Sequence, residues 1–158
     1  MERDLALRSA RHALDRAEVL LGRAEAAGLL DARLAPDMMP LADQIGIVAS
    51  FARRAVLPLA GTVPGPLRIP SDAPGLRALL RAARAEIDAA DGPPAPTVEH
   101  VAGEARLSQP PEDYLARFAL PNLWFHLSMA HAVLRAHGVP IGKADFDGLH
   151  RYPAPPDA

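Results

Sequence analysis

The chain of 158 residues contains no cysteine. This absence excludes disulfide bonds, thiolate zinc sites, iron–sulfur clusters and a cysteine nucleophile. Aromatic residues are also scarce, at 4% of a sequence that is 49% hydrophobic. The core therefore has to be built largely from leucine, alanine, isoleucine and valine. A chain so rich in alanine, leucine and arginine favours helices by intrinsic propensity.

The sequence also lacks an excess of positive charge and a long apolar run. Its formal net charge is −2, so no basic surface is predicted that could hold a phosphate backbone, which argues against nucleic-acid binding. The N-terminal residues 1–16 are charged throughout and have no apolar signal-peptide core. The most apolar window, 118–134, is too short and too polar to span a bilayer. We expect a cytoplasmic protein that does not bind membranes.

Motifs of several enzyme classes are missing as well. The sequence has no phosphate-binding glycine loop, no Gly-x-Ser-x-Gly elbow and no His-Glu-x-x-His zinc motif. The run from Lys143 to Gly148 is similar to the start of a calcium loop, but it lacks the third oxygen ligand and the closing glutamate. We interpret it as a turn.

Four segments carry apolar residues in steps of three and four, the spacing that forms one stripe on a helix. These stripes extend from about Asp4 to Ala27, from Leu41 to Leu59, from Leu76 to Ala90 and from Leu120 to His137. Amphipathic helices bury such stripes best against each other, so we predict an all-α four-helix bundle. We expect residues 1–148 to form a single domain and residues 149–158 to form a flexible tail.

Two long irregular segments separate the predicted helices. Residues 61–75 contain four prolines and three glycines, which rule out a helix there, and a connection of this length lets consecutive helices lie parallel. Residues 92–111 are also irregular, and the weak alternation of VEHVAGEARLS allows a short β-hairpin before the fourth helix, with a loop as the alternative. Within the fourth helix, Pro121 is predicted to cause a break or kink because it lacks a backbone donor.

The spacing of the histidines argues against a metal site. His126 and His131 are five residues apart, which places them about 140° apart around a regular helix, so they cannot chelate one ion. The second helix contains no histidine. We therefore predict no metal ligands, and we interpret His131 and His137 as surface or boundary residues.

Asn122 and His126 are different because they are four residues apart and share one helix face. Three residues near the start of the second helix could face them, namely Asp37, Asp43 and Gln44. One interpretation is a satisfied polar pair, with Asn122 capping the chain after the proline and His126 bonded to a carboxamide or carboxylate. The other is a small polar pocket, lined by Gln44, Asn122 and His126, that binds a small ligand.

Two stretches of the chain resemble a known family. The first is RLAPDMMPL, from Arg33 through Leu41, continuing to Gln44; the second includes DYL from Asp113, FALPNLWFH ending at His126, and GVPIGKADF over residues 138–146. They are similar to the bacterial domain-of-unknown-function family nineteen ninety-three, within the DinB/YfiT-like metalloenzyme superfamily. The resemblance implies an up-down-down-up four-helix bundle and suggests a homodimer.

The resemblance also implies a divalent metal, typically nickel or zinc, held by one histidine on the second helix and a His-x-x-x-His pair on the fourth. In this chain Gln44 stands at the first position, and Asn122 and His126 stand at the pair. We therefore expect no cofactor, and we expect an uncharacterised DinB-like protein whose Gln44, Asn122 and His126 bind a small ligand. A divalent-metal-dependent transferase or hydrolase is the alternative. A third hypothesis is partner binding through Arg77, Arg81 and Arg84.

Overall fold

The computed structural model describes residues 1–153, and the rest of the predicted tail, 154–158, lies outside the described residues. The first half of the chain contains α1 (Glu2–Ala27), α2 (Leu41–Val56), a 3-10 turn (Pro58–Ala60) and α3 (Ala73–Asp88). The second half contains β1 (Val98–Ala102), β2 (Ala105–Gln109), α4 (Pro111–Tyr114), a π-helical turn (Leu115–Ala119), α5 (Leu120–Ala136) and α6 (Lys143–Asp147). Helices α1, α2, α3 and α5 form the predicted four-helix bundle.

Ion pairs show that α1 and α3 are antiparallel. Arg11, in the first half of α1, pairs with Asp88 at the end of α3 at 2.7 Å. At the opposite end, Arg77 in the first turns of α3 pairs with Glu25. Arg84 on the same face pairs with Asp15. Two of the three arginines assigned to partner binding are thus engaged within the chain, where they join α3 to α1.

The remaining helix directions follow from two further contacts. Arg53 and Glu86 pair at 2.5 Å near the C-terminal ends of α2 and α3, so these two helices are parallel. The hydroxyl of Tyr114, just before α5, donates to the carbonyl of Arg54 near the end of α2. Helix α5 therefore runs antiparallel to α2, and the order is up-down-down-up, as predicted. The long connection between α2 and α3 makes the parallel pair possible.

The bundle core consists mainly of aliphatic side chains, in line with the scarcity of aromatic residues. On α1 the buried face is dominated by alanine, whose small side chain lets neighbouring helices approach closely. Its members are Ala6, Ala10, Ala13, Leu14, Ala17, Leu20, Leu21 and Ala24. None of the helices in residues 1–153 combines the length and apolar character needed to cross a bilayer.

The predicted interruption at Pro121 takes the form of a π-helical turn, and the helix does not end there. The amide of Leu120 donates to the carbonyl of Leu115, five residues earlier, so the turn before the proline is widened. A π-helical turn relieves the crowding that a proline ring causes in a regular helix. The polypeptide thus continues as a helix into α5, so of the two predicted outcomes, a break or a kink, the break does not occur.

The segment before the fourth bundle helix forms the hairpin that the sequence allowed. Strands β1 and β2 are antiparallel, with Val98 opposite Gln109 and Ala102 opposite Ala105. Gly103 at the tip has a φ of 62°, a conformation that glycine adopts readily. The run 143–148 was predicted as a turn, but it contains α6, a single helical turn whose start is capped by Asp145.

Candidate functional site

Gln44 and His126 form the polar contact at the centre of the predicted site. Gln44 lies in the first turn of α2 and is only 2% exposed, and its Oε1 lies 2.8 Å from Nδ1 of His126 on α5. Because an amide oxygen can only accept a hydrogen bond, Nδ1 carries the proton and donates. The second nitrogen, Nε2, is then the one with the free lone pair. The contact fixes both the tautomer and the ring orientation of His126.

Two aromatic side chains pack against the imidazole of His126. Phe51 on α2 stacks on it, with ring centroids 5.8 Å apart and an interplanar angle of 16°. Phe125 meets it edge-on at 5.1 Å. Burial lowers the pKa of His126, because removing water from the ring destabilises its protonated form more than its neutral form. The ring is therefore a neutral acceptor at physiological pH, suited to accept a hydrogen bond or to act as a general base.

Asn122 does not join this pair directly. Its Nδ2 donates to the carbonyl of Phe118 at 2.8 Å, so its amide contacts the preceding turn of its own helix. The predicted cap does not form, because a capping side chain accepts from a backbone amide, and α5 has no side-chain cap at its start. The structure therefore shows a satisfied Gln44–His126 pair with Asn122 beside it on the helix, and the ligand-binding role of the three residues stays a prediction.

The other helical histidines have structural contacts near the end of the bundle. Nε2 of His131 lies 3.0 Å from the carbonyl of Gly142 and donates to it. Nδ1 of His137 donates to the carbonyl of Val133 on the preceding turn. Both residues therefore hold the end of α5 and its exit loop, as expected for boundary residues.

The residues at this site do not fit the metal triad that the resemblance implies. Oε1 of Gln44 accepts from His126, and the amide of Asn122 is directed at its own helix, which leaves one imidazole nitrogen. Over residues 1–153, no group of three or more His, Cys, Asp and Glu side chains is placed to hold a metal ion. Structural zinc sites use four protein ligands and catalytic zinc sites use three. The arrangement can therefore act as an acceptor or base, and we assign no metal-dependent step to it.

The sequence analysis did not identify Phe51 as an aromatic neighbour of His126. Phe51 could have been identified, since it follows Gln44 by seven residues, two helical turns, and so lies on the same face. From Phe51 the aromatic contacts continue to Phe118 at 5.7 Å, and from Phe118 to His100 at 4.3 Å. His100 lies in the hairpin, and nothing in its local sequence indicates which helix the hairpin covers.

The lowered pKa of His126 predicts a pH-dependent stability. Unfolded chains protonate this ring at its ordinary value of 6.5, whereas the folded protein does so only at lower pH. The unfolded state thus binds more protons below pH 6.5, and the free energy of unfolding falls as the pH drops from there toward the folded-state pKa. Urea unfolding between pH 8 and 5 should show this decrease, and His126→Phe should reduce it.

Asp147 also makes the stability depend on pH, but in a different pH range from His126. Hydrogen bonds from the backbone amides of His150 and Leu149 lower its pKa to about 2, from an ordinary value of 3.8. The stability that these hydrogen bonds give to the ionised carboxylate is lost only as the pH falls from 3.8 toward 2, outside the range assigned to His126. If the free energy of unfolding fell equally in the wild type and in His126→Phe between pH 8 and 5, the decrease could not be assigned to His126.

The comparisons with known proteins agree with this fold. The model of a family described as a domain of unknown function, DUF1993, matches residues 4–147. The crystal structure of a DinB family member protein from Shewanella denitrificans is similar, with a TM-score of 0.74 and 23% sequence identity; the match covers 95% of this chain and 93% of that one. At this identity the likeness shows the fold alone. No curated protein matches the sequence.

Proposed function

Because the chain belongs to the DUF1993 family, whose description names no activity, we propose its function from the site. We propose that this DinB-like protein binds a small organic molecule that donates a hydrogen bond to Nε2 of His126, without a resident metal. The observation that carries this proposal is the 2.8 Å contact between Gln44 and His126. It orients the imidazole and leaves a lone pair on the other nitrogen.

The surroundings of His126 indicate the chemistry of the ligand. A neutral imidazole with Nδ1 protonated offers an acceptor, so the matching group is a hydroxyl, an amide N–H or a similar donor. The stacked Phe51 and the edge-on Phe125 supply apolar contact on two sides of the ring. A small, neutral and partly apolar molecule with one donor group satisfies both features.

A fragment screen by thermal shift tests this proposal. The panel contains small phenols, alcohols, amides and ureas, measured against the wild type and His126→Phe, a variant that keeps an aromatic ring beside Phe51. We expect at least one donor-bearing fragment to stabilise the wild type and to bind the variant about tenfold more weakly, the effect of one net hydrogen bond. His137→Phe is the matched control and should behave as the wild type. A panel whose effects are all independent of His126 would refute the proposal.

Metal content provides a second test. Protein purified without a metal-affinity tag should contain well under one equivalent of nickel, zinc, iron or manganese by elemental analysis, because the site offers one imidazole nitrogen. Added nickel or zinc should bind the wild type and His126→Phe equally weakly. One tightly held equivalent that is lost in His126→Phe would instead establish the metal-dependent alternative.

A further inference from the structure

A cavity of about 250 Å³ lies between the loop after α2, the β-hairpin and the turn that leads into α5. It is distinct from the Gln44–His126 pair, and neither residue lines it. Its walls include Arg54, Pro58, Glu99, His100, Tyr114 and Phe118. For scale, an apolar cavity of about 150 Å³ is enough to bind benzene, so this one accommodates a single aromatic ring with short substituents.

Three rings form one wall of the cavity. The centroids of His100 and Tyr114 are 4.8 Å apart, and those of Tyr114 and Phe118 are 5.6 Å apart. Tyr114 is 1% exposed, and its hydroxyl donates to the carbonyl of Arg54 at 2.8 Å. Burial raises the pKa of Tyr114 to about 12, so the phenol stays neutral. Tyr114 is therefore a buried, uncharged ring that backs the wall, and the half-buried ring of Phe118 is the one that a bound ring can contact.

Arg54 supplies positive charge at the same cavity. Within residues 1–153 no carboxylate lies within ion-pair distance of its guanidinium, whereas the neighbouring Arg53 is paired with Glu86. The guanidinium of Arg54 lies over the ring of Phe51, 5.4 Å from the centroid. Its planar fork of N–H donors is therefore available for bidentate binding of a carboxylate.

We propose that this cavity binds a small aromatic carboxylate. The aromatic ring packs against the half-buried ring of Phe118, and the carboxylate pairs with Arg54. Glu99 also lines the cavity and is exposed, so its negative charge opposes binding of the acid. This gives the two charged residues effects of opposite sign on affinity.

Calorimetric titration with 4-hydroxyphenylacetate tests the proposal. We expect saturable one-site binding to the wild type with a Kd of about 1 mM or lower. 4-Hydroxyphenylacetamide, which lacks the negative charge, should bind several-fold more weakly. No saturable binding of 4-hydroxyphenylacetate up to about 20 mM, a concentration well above that Kd, would overturn the proposal.

Variants of the two charged residues make the test specific. Arg54→Gln should weaken binding of 4-hydroxyphenylacetate about tenfold, whereas Glu99→Gln should strengthen it a few-fold; an affinity unchanged by Arg54→Gln overturns the proposal. Neither side chain holds a helix in place through an ion pair, so both variants are expected to fold, as their circular dichroism should show. His126→Phe should leave this affinity unchanged, which separates this cavity from the site proposed above.

Discussion

Gly46→Ala is expected to lower the free energy of unfolding by about 2 kcal/mol, the cost typical of overpacking a core. A Cβ at this position of α2 would lie 2.3 Å from Cγ2 and 2.9 Å from Cγ1 of Ile69, which belongs to the long connection between α2 and α3. Ile69 is β-branched and cannot move these atoms aside by a simple rotation. The connection must therefore shift away from α2, and the loss exceeds the gain in helix propensity of about 1 kcal/mol.

Gly22→Ala is a control whose expected effect on stability has the opposite sign. Like Gly46, Gly22 lies in the interior of a helix. A Cβ there meets no atom within 4 Å, so Gly22→Ala should stabilise the protein by up to about 1 kcal/mol through propensity alone. Urea unfolding of the two variants measures both effects. In a double-mutant cycle, Ile69→Ala should recover part of the loss caused by Gly46→Ala. Equal effects of the two glycine substitutions would show that Ile69 does not contact Gly46.

The close contact of Gly46 with Ile69 illustrates what the sequence could not predict. The periodic stripes indicated four helices, and the proline-rich segment after α2 indicated a long connection, but nothing local to Ile69 showed that it covers a glycine on α2. Contacts of this kind depend on how the chain folds back over many residues. The same holds for His100, whose aromatic neighbours come from the start of the fourth bundle helix.

The candidate site was more predictable because its geometry is helical. Asn122 and His126 share a face by their spacing, and Gln44 was placed opposite them by the family resemblance; the structure confirms the contact between Gln44 and His126. Pro121 was correctly expected to disturb the helix, but the sequence did not distinguish a break from a π-helical turn. Both outcomes relieve the same steric conflict, and the choice depends on tertiary packing.

The last prediction concerns Arg53, a positively charged side chain that is only 9% exposed. Its Nε and Nη2 donate to the two carboxylate oxygens of Glu86, at 2.5 and 2.9 Å. Its Nη1 donates to the carbonyl of Gly65 at 3.1 Å. One guanidinium thus joins α2, α3 and the long connection, so it fixes the parallel helix pair and the loop that borders the proposed carboxylate cavity.

Glu86→Leu is expected to lower the free energy of unfolding by about 2 kcal/mol, because it leaves Arg53 charged and unpaired in a buried position. Breaking a fully buried pair costs about 3–5 kcal/mol, and the effect here is smaller since Glu86 is 42% exposed and water can reach the vacated space. Arg53→Met combined with Glu86→Leu removes both charges and should regain much of the loss. Urea unfolding of the two single variants and the double variant measures this coupling. If the losses of the two single variants simply added in the double variant, the bidentate contact would contribute nothing to stability, and the loop and helix pair would have to be held by packing alone.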